Sequence, residues 1–224
     1  KGTPVVVVLS AGFGELNAAG KQQEQTLADI CTQHNMLMLG PNCSGLMSYA
    51  HAAKFAGIIP AMTPGSIDFL SGSGATIDFL VEQAVKRGLP FSSFLTVGNA
   101  AQSGVTDLLA LFDEAFDANS SLVKLLYLES IQKPPLFLKH ARCLVQKGCL
   151  LAGIKSGTTQ AGSRAAASNT GALANNDTAV QALFDKAGII RVSSRLELVD
   201  VAAVLHGVRA KTDGKRVCII TDAG

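Results

Sequence analysis

Short apolar runs rich in β-branched residues alternate along this chain with longer segments of helical periodicity, and this alternation constrains the fold most strongly. The predicted strands are 5–9, 37–39, 67–70, 94–97, 122–128, 150–154, 189–192 and 216–221. The predicted helices are 22–34, 75–87, 105–116, 136–146, 177–187 and 195–206. Because strands that alternate with helices pair in parallel and are covered on both faces, the pattern predicts an α/β fold with parallel sheets.

One proline- and glycine-rich stretch interrupts the alternation. Residues 46–65 contain Pro60, Pro64 and two glycines, a composition that disfavours regular structure. We therefore expect a linker between two α/β units, with the boundary near Gly65. With 224 residues, of which 48% are hydrophobic, the chain can give each unit a core.

Charge and cysteine usage narrow the classes of partner. Only 16% of residues are charged, the net charge is +2, and no long run of Lys or Arg occurs, so we expect neither a nucleic-acid nor a membrane partner. Sparse surface charge favours a homo- or hetero-oligomer. Five scattered cysteines without a Cys-x-x-Cys pair disfavour disulfides and a metal site, and fit a reducing cytoplasm.

Several short motifs follow one another in a characteristic order. They are Gly40-Pro41-Asn42-Cys43-Ser44-Gly45, Ser71-Gly72-Ser73-Gly74-Ala75, Val97-Gly98-Asn99, Tyr127-Leu128-Glu129, Lys155-Ser156-Gly157 and Ser168-Asn169-Thr170-Gly171-Ala172-Leu173. Together they span nearly the whole chain and resemble the NDP-forming acyl-CoA synthetases, the superfamily that includes succinyl-CoA synthetase and ADP-forming acetyl-CoA synthetase.

The resemblance implies a domain order. Residues 1–60 are expected to be the C-terminal part of a Rossmann-like CoA-binding domain, whose front half is missing. Residues 61–210 resemble the flavodoxin-like domain of the succinyl-CoA synthetase type. Residues 211–224 resemble the start of a further domain.

The resemblance also implies a reaction and its cofactors. Family members convert acyl-CoA, phosphate and ADP reversibly into a carboxylic acid, coenzyme A and ATP through a phosphohistidine. The nucleotide and Mg²⁺ bind an ATP-grasp domain, which is either a β subunit or fused to the same chain. We therefore expect coenzyme A, phosphate, ATP or ADP, a small carboxylic acid and an ATP-grasp partner.

Asn169 stands where the resemblance places the phosphohistidine. A neutral imidazole is a good nucleophile at pH 7, whereas the amide nitrogen of asparagine is delocalised into its carbonyl group. The chain is therefore expected to be inactive in phosphoryl transfer. None of the chain's histidines carries the flanking motif; they are His34, His51, His140 and His206.

Glu129 ends a predicted strand, where active-site residues collect in open α/β sheets, although a solvated strand end would look the same. The resemblance implies that Glu129 orients the nucleophilic side chain.

Ser73, Gly74 and Ala75 stand at a predicted helix start, which offers backbone N–H groups to an anion. A glycine-rich turn is also an ordinary connection between strand and helix. The resemblance favours phosphate binding, shared with 170–172 (Thr170, Gly171, Ala172).

Two further loops are expected to bind coenzyme A. By resemblance, Ser10, Ala11 and Gly12 would contact its nucleotide half, and Pro41, Asn42 and Cys43 would lie between its thiol and the second domain. In the absence of the resemblance, both are ordinary turns after strands.

Two functions remain open. The chain is either the alpha-type portion of an acid-thiol ligase, or a non-catalytic acyl-CoA-sensing or scaffold domain, as in fusions to protein lysine acetyltransferases. Asn169 supports the second, while the retention of Glu129 and the loops around it favours an enzyme scaffold.

Overall fold

The computed structural model describes residues 2–55, 57–157 and 177–208, together with Arg216, Cys218 and Ile220. Its strands are β1 (Val5–Val7), β2 (Leu37–Leu39), β3 (Gly45–Ser48), β4 (Ala52–Lys54), β5 (Ile67–Ser71), β6 (Ser93–Thr96), β7 (Val123–Leu128), β8 (Leu150–Lys155) and β9 (Ile189–Arg191). Its helices are α1 (Ala18–Gln33), α2 (Gly74–Lys86), α3 (Val105–Glu114), α4 (Pro134–Gln146), α5 (Asp177–Ala187) and α6 (Arg195–Gly207).

The first unit consists of β1, α1 and β2. The two strands are parallel, with Val5 opposite Leu37. Helix α1 begins before the predicted residue 22 because Asn17 caps it: the Asn17 side chain accepts a hydrogen bond from the Gly20 N–H at 2.9 Å. The cap satisfies one of the N–H groups that a helix start leaves without a partner.

The second unit is built on a seven-stranded sheet in the order β4-β3-β6-β5-β7-β8-β9. Strands β6, β5, β7, β8 and β9 are parallel. Counted from β5, their order is 2-1-3-4-5, the flavodoxin-like arrangement, in which the chain winds first to one side and then to the other. The predicted α/β fold with a parallel sheet is confirmed, and the winding direction reverses between β5 and β7.

The prediction of a linker over 46–65 is wrong in its first half. Strand β3 pairs antiparallel with β6, and β4 pairs antiparallel with β3, so both extend the second sheet. Pairing with β6, and not local composition, gives this segment its extended form. Further along, Met62 makes a single bridge to Phe91.

Helices cover both faces of the second sheet. One core lies between the sheet and helices α2 and α6, and the other lies between the sheet and helices α3, α4 and α5. Adjacent strand residues serve opposite cores, since Phe69 belongs to the first and Leu70 to the second. Leu39 of β2 joins the second core, which connects the two units.

Two global features complete the description. None of the helices within the described ranges combines the length and apolar character that a membrane crossing requires. All five cysteines lie in the described residues and are free thiols. Half of the predicted strand 216–221, namely residues 217, 219 and 221, lies outside the described residues.

Candidate functional site

The start of α2 lies at the carboxyl edge of the second sheet, directly after β5. Ser73 is its N-cap, and the Ser73 hydroxyl accepts a hydrogen bond from the Thr76 N–H at 3.4 Å. The Ser73 N–H itself donates to the Ser71 hydroxyl at 3.0 Å. Of the three phosphate-binding residues predicted at this helix start, Gly74 and Ala75 therefore place their N–H groups in the first turn, where helices bind anions.

Glu129 follows β7 and lies beside the loop after β5. A Cβ atom added to Gly72 would lie 3.3 Å from both Cγ and the backbone N of Glu129, so the glycine lets the two strand ends approach closely. Glu129 is partly buried, and this burial raises the pKa of its carboxyl group, while the positive charge of Lys155 opposes the shift. The carboxylate thus lies at the reversal of strand order, where open α/β sheets bind ligands.

Lys155 ends β8, and its Cα pairs with that of Leu128, the residue before Glu129. The side chain is buried, and its ammonium group donates to the Ser156 carbonyl at 2.6 Å. Burial lowers the pKa of Lys155, and the negative charge of Glu129 opposes this shift. Glu129 and Lys155 thus each favour the charged form of the other.

The loops of the first unit meet the start of α2. The Asn42 N–H donates to the Ser10 carbonyl at 2.9 Å, which joins the two loops predicted to bind coenzyme A. A Cβ atom added to Gly74 would lie only 2.2 Å from the Ser44 hydroxyl oxygen. The loop that contains Pro41 and Asn42 therefore lies beside the predicted phosphate site.

The residues of these loops differ in accessibility. Ser10, Ala11, Gly12 and Asn42 are exposed, whereas Pro41 and Cys43 are buried. A Cβ atom added to Gly12 would meet nothing within 4 Å, so a ligand can approach the backbone closely there. This open backbone in the loop after β1 leaves room for the coenzyme A that the resemblance implies. Burial raises the pKa of the Cys43 thiol, which suits a lining residue better than a nucleophile.

A cavity of about 560 Å³ opens at the same edge of the second sheet. Its lining comes from the segments that follow β5, β6 and β7, with Lys21 added from α1. Its polar side chains include Asn99, Gln102, Glu129, Gln132 and Lys133. Among the predicted site residues within the described ranges, Glu129 lines this cavity, whereas the start of α2 and the two loops of the first unit lie outside its lining.

Four predicted site residues, Asn169, Thr170, Gly171 and Ala172, lie outside the described residues. Within residues 2–55, 57–157 and 177–208, no group of three or more His, Cys, Asp or Glu side chains is placed to hold a metal ion.

Sequence reasoning missed three polar residues between the units. Asn99 donates hydrogen bonds to the carboxylates of Glu15 and Glu24, at 2.5 and 2.8 Å. The Val97-Gly98-Asn99 motif was a signal for Asn99, but no local pattern indicated its two acidic partners.

The chain is similar to known proteins along its whole length. Residues 64–205 match the succinyl-CoA ligase like flavodoxin domain. The alpha subunit of acetate–CoA ligase (ADP-forming) II from Pyrococcus furiosus is 34% identical over 100% of this chain and 48% of the relative. The 4-hydroxybutyrate–CoA ligase (ADP-forming) of Nitrosopumilus maritimus is 33% identical over 98% of this chain and 31% of the relative. The chain thus spans about half, or less, of these relatives.

A solved structure supports the same likeness. The dinucleotide forming acetyl-coenzyme A synthetase 1 of Ca. Korarchaeum cryptofilum, in complex with phosphate and ADP, superposes with a TM-score of 0.80 at 30% identity. The match covers 90% of this chain and 43% of that one.

Proposed function

The chain belongs to the family that carries the succinyl-CoA ligase like flavodoxin domain, and on this premise we propose that it forms the alpha-type portion of an NDP-forming acyl-CoA synthetase. The reaction would convert acyl-CoA, phosphate and ADP reversibly into a carboxylic acid, coenzyme A and ATP. One observation carries the proposal: Glu129 and the start of α2 lie together at the reversal of strand order, next to the loops of the first unit.

Each group of residues has a role in the proposal. Gly74 and Ala75 bind phosphate through their N–H groups, and the Ser73 hydroxyl holds the helix start in place. The loops 10–12 and 41–43 bind coenzyme A, which supplies the thiol when it is bound. Residues 170–172 complete the phosphate site, and Glu129 orients the side chain at position 169.

The phosphoryl relay is the step that this chain lacks. Asn169 offers an amide whose nitrogen lone pair is delocalised, so it cannot accept a phosphoryl group as histidine does. We propose that the chain retains phosphate binding but is inactive in phosphoryl transfer as it stands.

The complete enzyme requires more than this chain. We propose an ATP-grasp partner, as a β subunit or a fused domain, that binds ATP or ADP with Mg²⁺, and a small carboxylic acid as substrate. The proposed domain division by sequence is 1–60, 61–210 and 211–224, although β3 and β4, which precede residue 61, pair into the sheet of the second unit. We propose a homo- or hetero-oligomer as the assembly.

The test is phosphorylation of the full-length protein with its ATP-grasp partner and ATP-Mg, followed by intact mass. We expect no phosphate on the unaltered chain and one phosphate on the Asn169→His variant. Asn175→His is the matched control, because it adds the same side chain six residues away in the sequence, and it should stay unphosphorylated.

A second candidate function rests on Asn169 itself. A domain that senses or scaffolds acyl-CoA needs no phosphohistidine. No phosphate on Asn169→His, in an assembled complex, would favour this sensor over the enzyme scaffold. Failure of inorganic phosphate to bind either form would contradict the phosphate site at α2.

A further inference from the structure

Asn99 contacts the first unit at several points. Its side-chain Nδ2 donates to Glu15 Oε2 at 2.5 Å and to Glu24 Oε2 at 2.8 Å. Its Oδ1 accepts from Asn42 Nδ2 at 3.3 Å, and its backbone N–H donates to the Pro41 carbonyl at 2.9 Å. One residue of the second unit thus bonds to three separate segments of the first.

The two carboxylates that Asn99 joins hold the loop after β1. Glu15 Oε1 accepts from the N–H groups of Gly12 and Phe13, at 2.5 and 3.2 Å. Glu24 is fully buried, and its Oε2 accepts from the Gly14 N–H at 3.1 Å. The loop 12–14 is therefore fixed by carboxylates that are themselves fixed by Asn99.

An uncharged amide suits this position for an electrostatic reason. The Asn99 amide presents two N–H donors to two acceptors and adds no negative charge. Burial opposes ionisation of Glu15, but hydrogen bonds from Asn99 and from the backbone outweigh it and lower its pKa to about 2. Glu15 is therefore a charged acceptor for the Asn99 N–H across the physiological pH range.

We propose that Asn99 is a positioning residue that holds the loops 10–14 and 41–43 in the arrangement that binds coenzyme A beside the start of α2. The inference rests on the proposed function, because those loops are the proposed coenzyme A site. Asn99 itself acts through Glu15, Glu24 and Asn42.

Other charged groups near Asn99 would also affect how coenzyme A binding by the Asn99→Asp variant depends on pH. Lys21 of α1 donates to Glu24 Oε1 at 2.5 Å and partly neutralises that side. Glu129 and Lys133 line the same cavity, and Lys133 is paired with Asp107 at 2.7 Å. A new carboxylate at position 99 would therefore meet Glu15 and Glu24 directly and the remaining charges at a greater distance.

The test is the affinity of the full-length protein, with its ATP-grasp partner, for coenzyme A, measured by calorimetry across pH for wild type and Asn99→Asp. The ratio of the two Kd values removes the ionisation of coenzyme A itself. At neutral pH and above we expect about tenfold weaker binding, because two charge-assisted hydrogen bonds are replaced by repulsion. The ratio should shrink as pH falls, because protonation of the new carboxylate in Asn99→Asp restores one donor.

Gln102→Glu is the matched control. Gln102 also joins the units. Its side chain accepts from the Met38 N–H at 2.5 Å and donates to the Met36 carbonyl and the Thr32 hydroxyl, both at 3.0 Å, and within the described residues it has no side-chain hydrogen bond to either loop. The Gln102→Glu variant should weaken the contact between the two units without a pH-dependent change in the affinity for coenzyme A. Glu15→Gln is a second variant that weakens the same loop and leaves Asn99 intact, with an expected loss of about threefold.

The outcomes separate the inference from the function on which it rests. Wild type that fails to bind coenzyme A overturns the proposed function. Wild type that binds, with a variant ratio near one or one that does not change with pH, overturns the role of Asn99 alone. Equal losses of coenzyme A affinity in Gln102→Glu and Asn99→Asp would likewise show that Asn99 only holds the two units together.

Discussion

At the scale of single residues, Glu129 combines partial burial with a position at the candidate site. Burial raises the pKa of this carboxyl group above its ordinary 4.5, and Lys155 only opposes the shift. The folded state therefore binds a proton more tightly than the unfolded state. The resulting stabilisation is fully present below pH 4.5 and is lost as pH rises through the raised pKa.

We expect Glu129→Gln to be more stable than wild type in neutral solution, because the variant removes a charge that is costly to bury. The advantage should disappear as pH falls toward about 4, where the native carboxyl group is protonated. Urea unfolding across this range measures it. Glu114→Gln, at the exposed end of α3, is the control and should show no such trend. A difference in the free energy of unfolding between Glu129→Gln and wild type that stays constant at every pH would contradict a raised pKa of Glu129.

At the scale of elements, a buried ion pair joins the central strands. Lys124 of β7 donates to Asp68 of β5 at 2.7 Å, and the Ser93 hydroxyl of β6 donates to the other carboxylate oxygen at 2.6 Å. Only 2% of the Lys124 side chain and 8% of the Asp68 side chain are exposed. Each charge depends on the other, because water cannot solvate either one.

Lys124→Met should destabilise the protein by about 3–5 kcal/mol, because it leaves the Asp68 carboxylate buried without its cation. Lys86→Met is the matched control. Its ammonium group pairs with Glu82 on the exposed face of α2, and its loss should cost less than about 1 kcal/mol. Chemical denaturation compares the two variants, and similar costs would show that the buried pair is not required.

At the scale of the whole molecule, Gly98 is a point of close contact between the units. Its φ is +55°, and an added Cβ atom would lie 2.2 Å from the Pro41 carbonyl oxygen and 2.4 Å from that of Asn42. Gly88 has a similar φ of +69°, but an added Cβ atom would meet nothing within 4 Å. A comparison of substitutions at Gly88 and Gly98 therefore separates the cost of backbone strain from the cost of a clash between the units.

We expect Gly88→Ala to cost about 1 kcal/mol and Gly98→Ala about 3 kcal/mol, because the second adds a steric clash to the same strain. Calorimetry measures the difference, and hydrogen exchange should show faster opening of α1 and β2 in Gly98→Ala alone. An equal loss of stability in the two variants would mean that the contact between the units accommodates the added Cβ atom at no cost.

Much of the fold was predictable because its signals are local. Periodicity identified the helices and all the strands from β5 to β9, since each pattern is contained within a single element. Strands β3 and β4 escaped prediction because their extended form depends on β6, more than 40 positions away at the pairing of Leu46 with Leu95. Helix α1 begins four residues before the predicted residue 22, because Asn17 caps it at Ala18.

For the candidate site, the sequence by itself determined the motifs and the chemical types they present, including Glu129 after its strand and the glycine-rich start of α2. The tertiary structure alone decided which of them meet. Strand order brings Gly72 against Glu129, and folding brings Asn99 to Glu15 and Glu24, which precede it by 84 and 75 residues. Such contacts arise from the packing of distant segments, which no local pattern of residues encodes.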